Sequence, residues 1–246
     1  MSVYIRDDTL IEVTAQDDAQ GLGASPQRVS ATIVLQPIAA PSVLGLFAFA
    51  GSTLMVAANQ AGWYGGPGTA AYLFPFAALF GGLAQFMAGM FAYKARDALA
   101  TAMHGTWGSF WMAYGLLNLL FAVGVMAPPT GAFPALGYWF VALAITTWIG
   151  AWIATSASGA LAAVLGFLAA GSTATAVANL MGSTGWSIAG GWLFIIAAVL
   201  AWYTGTALLA ASSFGREVLP LFAPATAKYA PAVSLGVGEP GVRHGQ

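Results

Sequence analysis

The sequence predicts an all-α, polytopic membrane protein with six transmembrane helices and both termini in the cytoplasm. Three observations predict it. The chain is 59% hydrophobic and only 6% charged, its apolar runs are each about twenty residues long, and its cations gather on one side of those runs. A soluble domain carries roughly a quarter charged residues. Seven basic and eight acidic side chains among 246 residues cannot make a polar shell.

A helix of about 20 residues, rising about 1.5 Å per residue, crosses a hydrocarbon core about 30 Å thick. Runs of that length place spans at 43–60, 70–92, 103–126, 133–154, 159–181 and 187–212. The breaks carry turn residues: Gly65-Gly66-Pro67-Gly68, Pro128-Pro129 and Gly182-Ser183-Thr184-Gly185. Between the fourth and fifth spans only Thr155-Ser156-Ala157-Ser158 separates the two apolar runs.

Charge placement tests the count independently. Arg6, Arg28, Lys94, Arg96, Arg216, Lys228 and Arg243 all fall in the two tails or the second loop. Cytoplasmic loops carry the excess of Lys and Arg, so both tails belong on the cytoplasmic side, which requires an even number of spans. The acidic residues follow suit, lying in the tails or at Asp97. No carboxylate is expected inside the membrane, and neither histidine is expected to act there as a proton relay of the kind pumps use.

Outside the 39–222 transmembrane domain, residues 1–38 are expected to form a polar, disordered cytoplasmic tail. Residues 223–246, rich in Pro, Gly and Ala, form a second flexible tail. The first segment has no apolar stretch that would make it a signal peptide.

Composition also removes function classes. There are no cysteines, so thiol catalysis and thiolate metal sites are out. With only two histidines, no metal or cofactor site is expected. A net charge of −1 gives no basic footprint for nucleic acid. Serines without a base are poor nucleophiles, so the chain does not read as an enzyme.

What remains at membrane depth is neutral and polar. Ser52, Thr53, Asn59, Gln85, Ser172, Thr173 and Asn179 are the candidate solute-path groups, each of which also serves equally well as interhelical hydrogen-bond glue. Gln85 stands between Gly81 and Gly89 on one helix face, where small residues let a backbone or a solute approach the amide. In the fifth span Ala162, Gly166, Ala170, Ala174 and Ala178 repeat every fourth residue, a pattern expected of close helix packing. Residues 47–59 (FAFAGSTLMVAAN) and 167–179 (FLAAGSTATAVAN) align without a gap. Both belong to odd-numbered spans, and parallel repeats of this kind flank the substrate path in many transporters.

Four motifs, in order from residue 40 to 221, carry a family resemblance: Ala40-Pro41-Ser42-Val43-Leu44-Gly45-Leu46; Gly81-Gly82-Leu83-Ala84-Gln85 with Tyr93-Lys94; Gly105-Thr106-Trp107-Gly108-Ser109-Phe110-Trp111; and Phe214-Gly215-Arg216-Glu217-Val218-Leu219-Pro220. Together they resemble the acetate uptake transporter family, the acetate–succinate permease group of six-span membrane proteins. The resemblance implies a homo-oligomer, a hexamer, in the bacterial cytoplasmic (inner) membrane, with one path per protomer for acetate and similar small monocarboxylates, by channel or by proton symport. It also implies a pore constriction at Phe49, Trp107 and Leu168. This chain departs from the family pattern at Ala40, Val43, Ala92 and Trp107, and Trp107 replaces a tyrosine with a bulkier ring that has no acceptor oxygen. From the residues alone, two alternatives stay open: a channel for a neutral small solute such as urea, ammonia or water, and a non-transporting membrane sensor or assembly module.

Overall fold

The computed structural model describes residues 2–5, 11–14, 39–66 and 68–224. They belong to two units, Met1–Ala39 and Ala40–Gln246. In the first, β1 (Ser2–Ile5) and β2 (Ile11–Thr14) pair antiparallel, with Val3 opposite Val13 and Ile5 opposite Ile11. Alternating β-branched residues favour extended backbone, a local signal that a reading of the tail as polar overlooks. The rest of 1–38 and all of 225–246, with the disorder expected there, lie outside the described residues.

Among the described residues the second unit has six helices: α1 (Pro41–Gln60), α2 (Thr69–Lys94), α3 (Ala98–Ala122), α4 (Pro134–Ala154), α5 (Gly159–Met181) and α6 (Thr184–Phe214). Each expected span has its helix. Pro41 and Pro134 open α1 and α4 at the position where a missing N–H costs nothing. Ser158 and Ser183 cap α5 and α6 by accepting from Leu161 N and Trp186 N.

The third span differs most from expectation, beginning at Ala98 rather than 103 and ending at Ala122 rather than 126. Asp97 explains the start, because its carboxylate accepts from Ala100 N at 2.8 Å and caps the helix.

In α2 the stretch Phe76–Ala84 is π-helical. Pro75 precedes it directly, and a proline inside a helix removes one ladder donor and crowds the carbonyl four residues back. The wider turn that follows leaves the Phe76 carbonyl to accept from Ser52 Oγ of α1 at 3.0 Å.

Neighbours in sequence are neighbours in space: α1 packs on α2, α2 on α3, α4 on α5, α5 on α6, and α6 closes back on α1, while α3 meets α4 along a thinner seam. Backbone meets backbone between α2 and α3. A Cβ at Gly108 would lie 2.5 Å from Phe86 N. The small-residue stripe of α5 does not share this role along its length, since nothing lies within 4 Å of a Cβ built on Gly166.

Five of the helices are long and apolar enough to cross a membrane; α3 is the exception. Its 25 residues carry no charge, and hydropathy undervalues it because His104, Trp107, Trp111 and Asn118 point inward and are buried. Elsewhere large apolar groups face outward: Leu79, Ile145, Trp152 and Val199 are each more than half exposed. Lipid or another protomer covers such a surface; water does not.

The segment after α6 returns to the start of α5. Gly159 N donates to Phe222 O at 3.1 Å, Ala160 N to Leu221 O at 3.2 Å, and Ser158 Oγ to Leu221 O at 2.8 Å. Tyr203 OH holds the same strap by donating to Pro220 O at 2.8 Å. The strap thus takes up first-turn donors of α5 that the helix itself leaves unpaired.

Candidate functional site: a charge-free vestibule and its floor

Helices α1, α3 and α5 all run away from the loop that carries Lys94 and Arg96, so their later residues lie toward the opposite side. Between them sits a cavity of about 400 Å³. Its mouth is formed by the ends of α1 and α5 and the starts of α4 and α6, through Asn59, Gln60, Asn179, Leu136 and Ser187. Trp107 and Leu168 lie deepest in the lining. Thr53 also lines it, so Phe49, one turn earlier on α1, lies beyond the floor on the basic side.

An aromatic chain builds that floor. Phe49 meets Trp107 edge-on at 6.3 Å, Trp107 meets Phe110 at 5.3 Å, and Phe110 meets Phe140 at 5.3 Å. Such edge-to-face pairs are favourable beyond their buried area. Trp107 has little freedom, because its Nε1 donates to Thr147 Oγ1 at 3.0 Å and Thr147 donates on to Leu143 O. Of the three residues expected at the constriction, Phe49 meets Trp107, and Leu168, like Trp107, lines the cavity; each is only 2% exposed.

The seven expected polar groups separate. Thr53, Asn59 and Asn179 line the cavity. Asn59 donates to Tyr64 O at 2.8 Å and Asn179 to Thr175 O at 2.9 Å. Ser52 and Ser172 are buried beside it, spending their hydroxyls on Phe76 O and Leu168 O. Gln85 is buried off the cavity, between the level where Gly81 meets Ser52 and Trp111 and the level where Gly89 meets Gly105. Thr173 faces away: it is exposed, donates to Ala169 O and accepts from Trp148 Nε1 on α4. The sequence echo between α1 and α5 thus holds in space at Ser52 and Ser172 and breaks one residue later.

Other groups at the site escaped the sequence-based selection. Gln60 Nε2 donates to Thr175 Oγ1 at 2.8 Å and to Ser187 O at 3.0 Å, tying α1, α5 and α6 at the mouth. Thr175 stands seven residues after Leu168, two turns along the same face, and that spacing was the available signal. Trp111, read only as part of a motif, lines the cavity, and its Nε1 has no protein partner. The Thr53 hydroxyl is likewise unpartnered. Near the mouth, partial burial holds the Tyr64 phenol above its usual range, and its hydroxyl donates to Met55 O. No cluster of His, Cys, Asp or Glu capable of holding a metal occurs among the described residues.

No metal-binding or proton-relay role is expected of His104 from the sequence. It is buried within α3, because Gly45 of α1 lacks the Cβ that would meet the imidazole at 2.4 Å.

A ring of six apolar helices around a charge-free vestibule with an aromatic floor defines an integral membrane protein with a solute path. Residues 23–222 match the model of the GPR1/FUN34/yaaH family, and the chain belongs to that family. It is 26% identical over 189 residues to the succinate-acetate/proton symporter SatP of Escherichia coli strain K12, covering 75% of this chain and 95% of that one. The SatP of Shigella flexneri matches to the same extent. Its fold is that of the bacterial acetate channel SatP, with a TM-score of 0.69 at 24% identity over 75% of this chain and 99% of the other. The family resemblance carried by the four motifs therefore holds.

Proposed function

We propose that the protein conducts acetate and similar small monocarboxylates across the membrane, through a path in each protomer that runs from the vestibule past Phe49, Trp107 and Leu168. One observation carries this most directly. Two buried hydrogen-bond donors, Thr53 Oγ1 and Trp111 Nε1, belong to the cavity lining and have no partner in the protein. An unmet buried polar group costs about 1–3 kcal/mol, a cost that a carboxylate oxygen reaching either donor would relieve. No residue of the lining is charged, so a bound anion is held by dipoles alone and leaves readily. The apolar floor excludes hydrated ions by dewetting.

The relatives are named as a symporter and as a channel, and proton coupling by this chain is part of the same proposal. So are its orientation with Lys94, Arg96 and Arg216 on the cytoplasmic side, its place in a bacterial inner membrane, and its assembly as a homo-oligomer, a hexamer. The exposed apolar faces of α4 and α6 support assembly, since they suit a neighbouring protomer as well as lipid. Conduction of a neutral solute such as urea is a second possibility favoured by the charge-free lining.

Labelled-acetate uptake into liposomes carrying the purified protein tests the proposal. Uptake above empty liposomes, reduced by unlabelled propionate and indifferent to urea, supports it. Uptake absent, or competed by urea alone, overturns it.

A further inference from the structure

An indole N–H can only donate, and one buried among apolar groups needs an acceptor. Trp107 is packed against the rings of Phe49 and Phe110, which supply none. The acceptor comes from α4, where Thr147 Oγ1 lies 3.0 Å from Trp107 Nε1. Thr147 is fully buried, and its own hydroxyl proton is committed to Leu143 O, one turn back on the same helix, at 2.6 Å. That back-bond leaves a lone pair for α3 and fixes Thr147 as an acceptor.

The bond spans the thinner seam between α3 and α4, which the Phe110–Phe140 contact at 5.3 Å also crosses. Edge-to-face contacts let a ring slide or turn with little loss of buried area. A hydrogen bond is directional, so the one to Thr147 selects a single orientation of the indole. Any other orientation would move the benzo ring at the deep end of the vestibule, where Trp107 and Leu168 line the cavity. Thr147 itself is not part of that lining. It stands behind the ring.

Resting on the transport reading above, we propose that Thr147 is a positioning residue for selectivity. By holding the Trp107 indole in one orientation, it fixes the width of the path at its deepest point. Unbranched short-chain carboxylates pass, and branched ones are held back.

Acetate and isobutyrate carry the same charge and differ in width. Uptake of the two labelled acids into liposomes, each corrected for empty liposomes, therefore gives a ratio independent of how much protein is active. The unmodified full-length protein should prefer acetate by about tenfold or more, the scale on which a fixed apolar gap discriminates added methyl groups. Thr147→Val keeps the shape and removes the acceptor, and should lower that preference about tenfold. Thr147→Ser keeps the hydroxyl and should restore it. Thr147→Ala removes the same acceptor and gives the same reading should the valine variant not fold. In Trp107→Phe, whose ring has no N–H, adding Thr147→Val should change the ratio no further. Uptake of both acids falling in proportion in Thr147→Val, or an equal change of ratio with and without the indole, overturns the inference and leaves Thr147 a structural residue of the seam. No acetate uptake by the unmodified protein overturns the transport reading itself, whereas uptake without preference between the two acids overturns only the role of Thr147.

Discussion

Single side chains at the vestibule have effects that their partners decide. Trp111 Nε1 donates to nothing in the protein, so Trp111→Phe removes no intramolecular bond. The acetate concentration for half-maximal uptake should rise about tenfold, the worth of one hydrogen bond to an anion, with the melting temperature lowered only by the smaller buried ring. Thr147→Val should do the opposite. Thr147 accepts from Trp107 Nε1 at 3.0 Å in a fully buried site, and without it the indole N–H is stranded at a cost of about 1–3 kcal/mol. A lower melting temperature and a leakier floor are expected, the second read as faster efflux of trapped acetate. At this scale the sequence was only partly legible. Thr53 and Thr173 hold equivalent places in two matching strings, yet one lines the cavity and the other meets Trp148 on the outside. Which face a residue presents depends on how each helix is rotated against its neighbours, and a string of small residues does not encode that rotation.

The elements themselves were far more legible, because twenty apolar residues have few other uses and prolines and serines mark their starts. What remained hidden was how tightly each pair packs. Gly108 and Gly166 are both helical glycines within apolar spans, but a Cβ on Gly108 runs into the backbone of Phe86, whereas one on Gly166 meets nothing within 4 Å. Gly108→Ala must push α2 and α3 apart and should cost about 1–3 kcal/mol or more by overpacking. Gly166→Ala should be neutral or stabilising by up to about 1 kcal/mol, since alanine holds a helix better than glycine. Thermal unfolding followed by the helical circular dichroism signal ranks the pair; equal melting temperatures would contradict the packing described.

For the whole molecule, orientation follows from charge, with the short turn 95–97 and the strap after α6 on the basic side and the segment 123–133 on the other. Because the chain has no cysteine, single cysteines report this without background. Gly131→Cys in intact cells should react with a membrane-impermeant maleimide, and Ala95→Cys only after permeabilisation. The reverse pattern would turn the molecule over and place the vestibule toward the cytoplasm.

The strap that closes on α5 also bears on how the protein is made. Leu221 and Phe222 lie beyond all six helices in chain order, yet their carbonyls complete the first turn of the fifth. During synthesis that turn stays open in the membrane interface until the ribosome has translated past the sixth helix. A message truncated just after α6 would therefore yield every span and still leave a bundle with one loose end, the kind of flaw by which a membrane quality-control protease distinguishes an unfinished chain from a finished one.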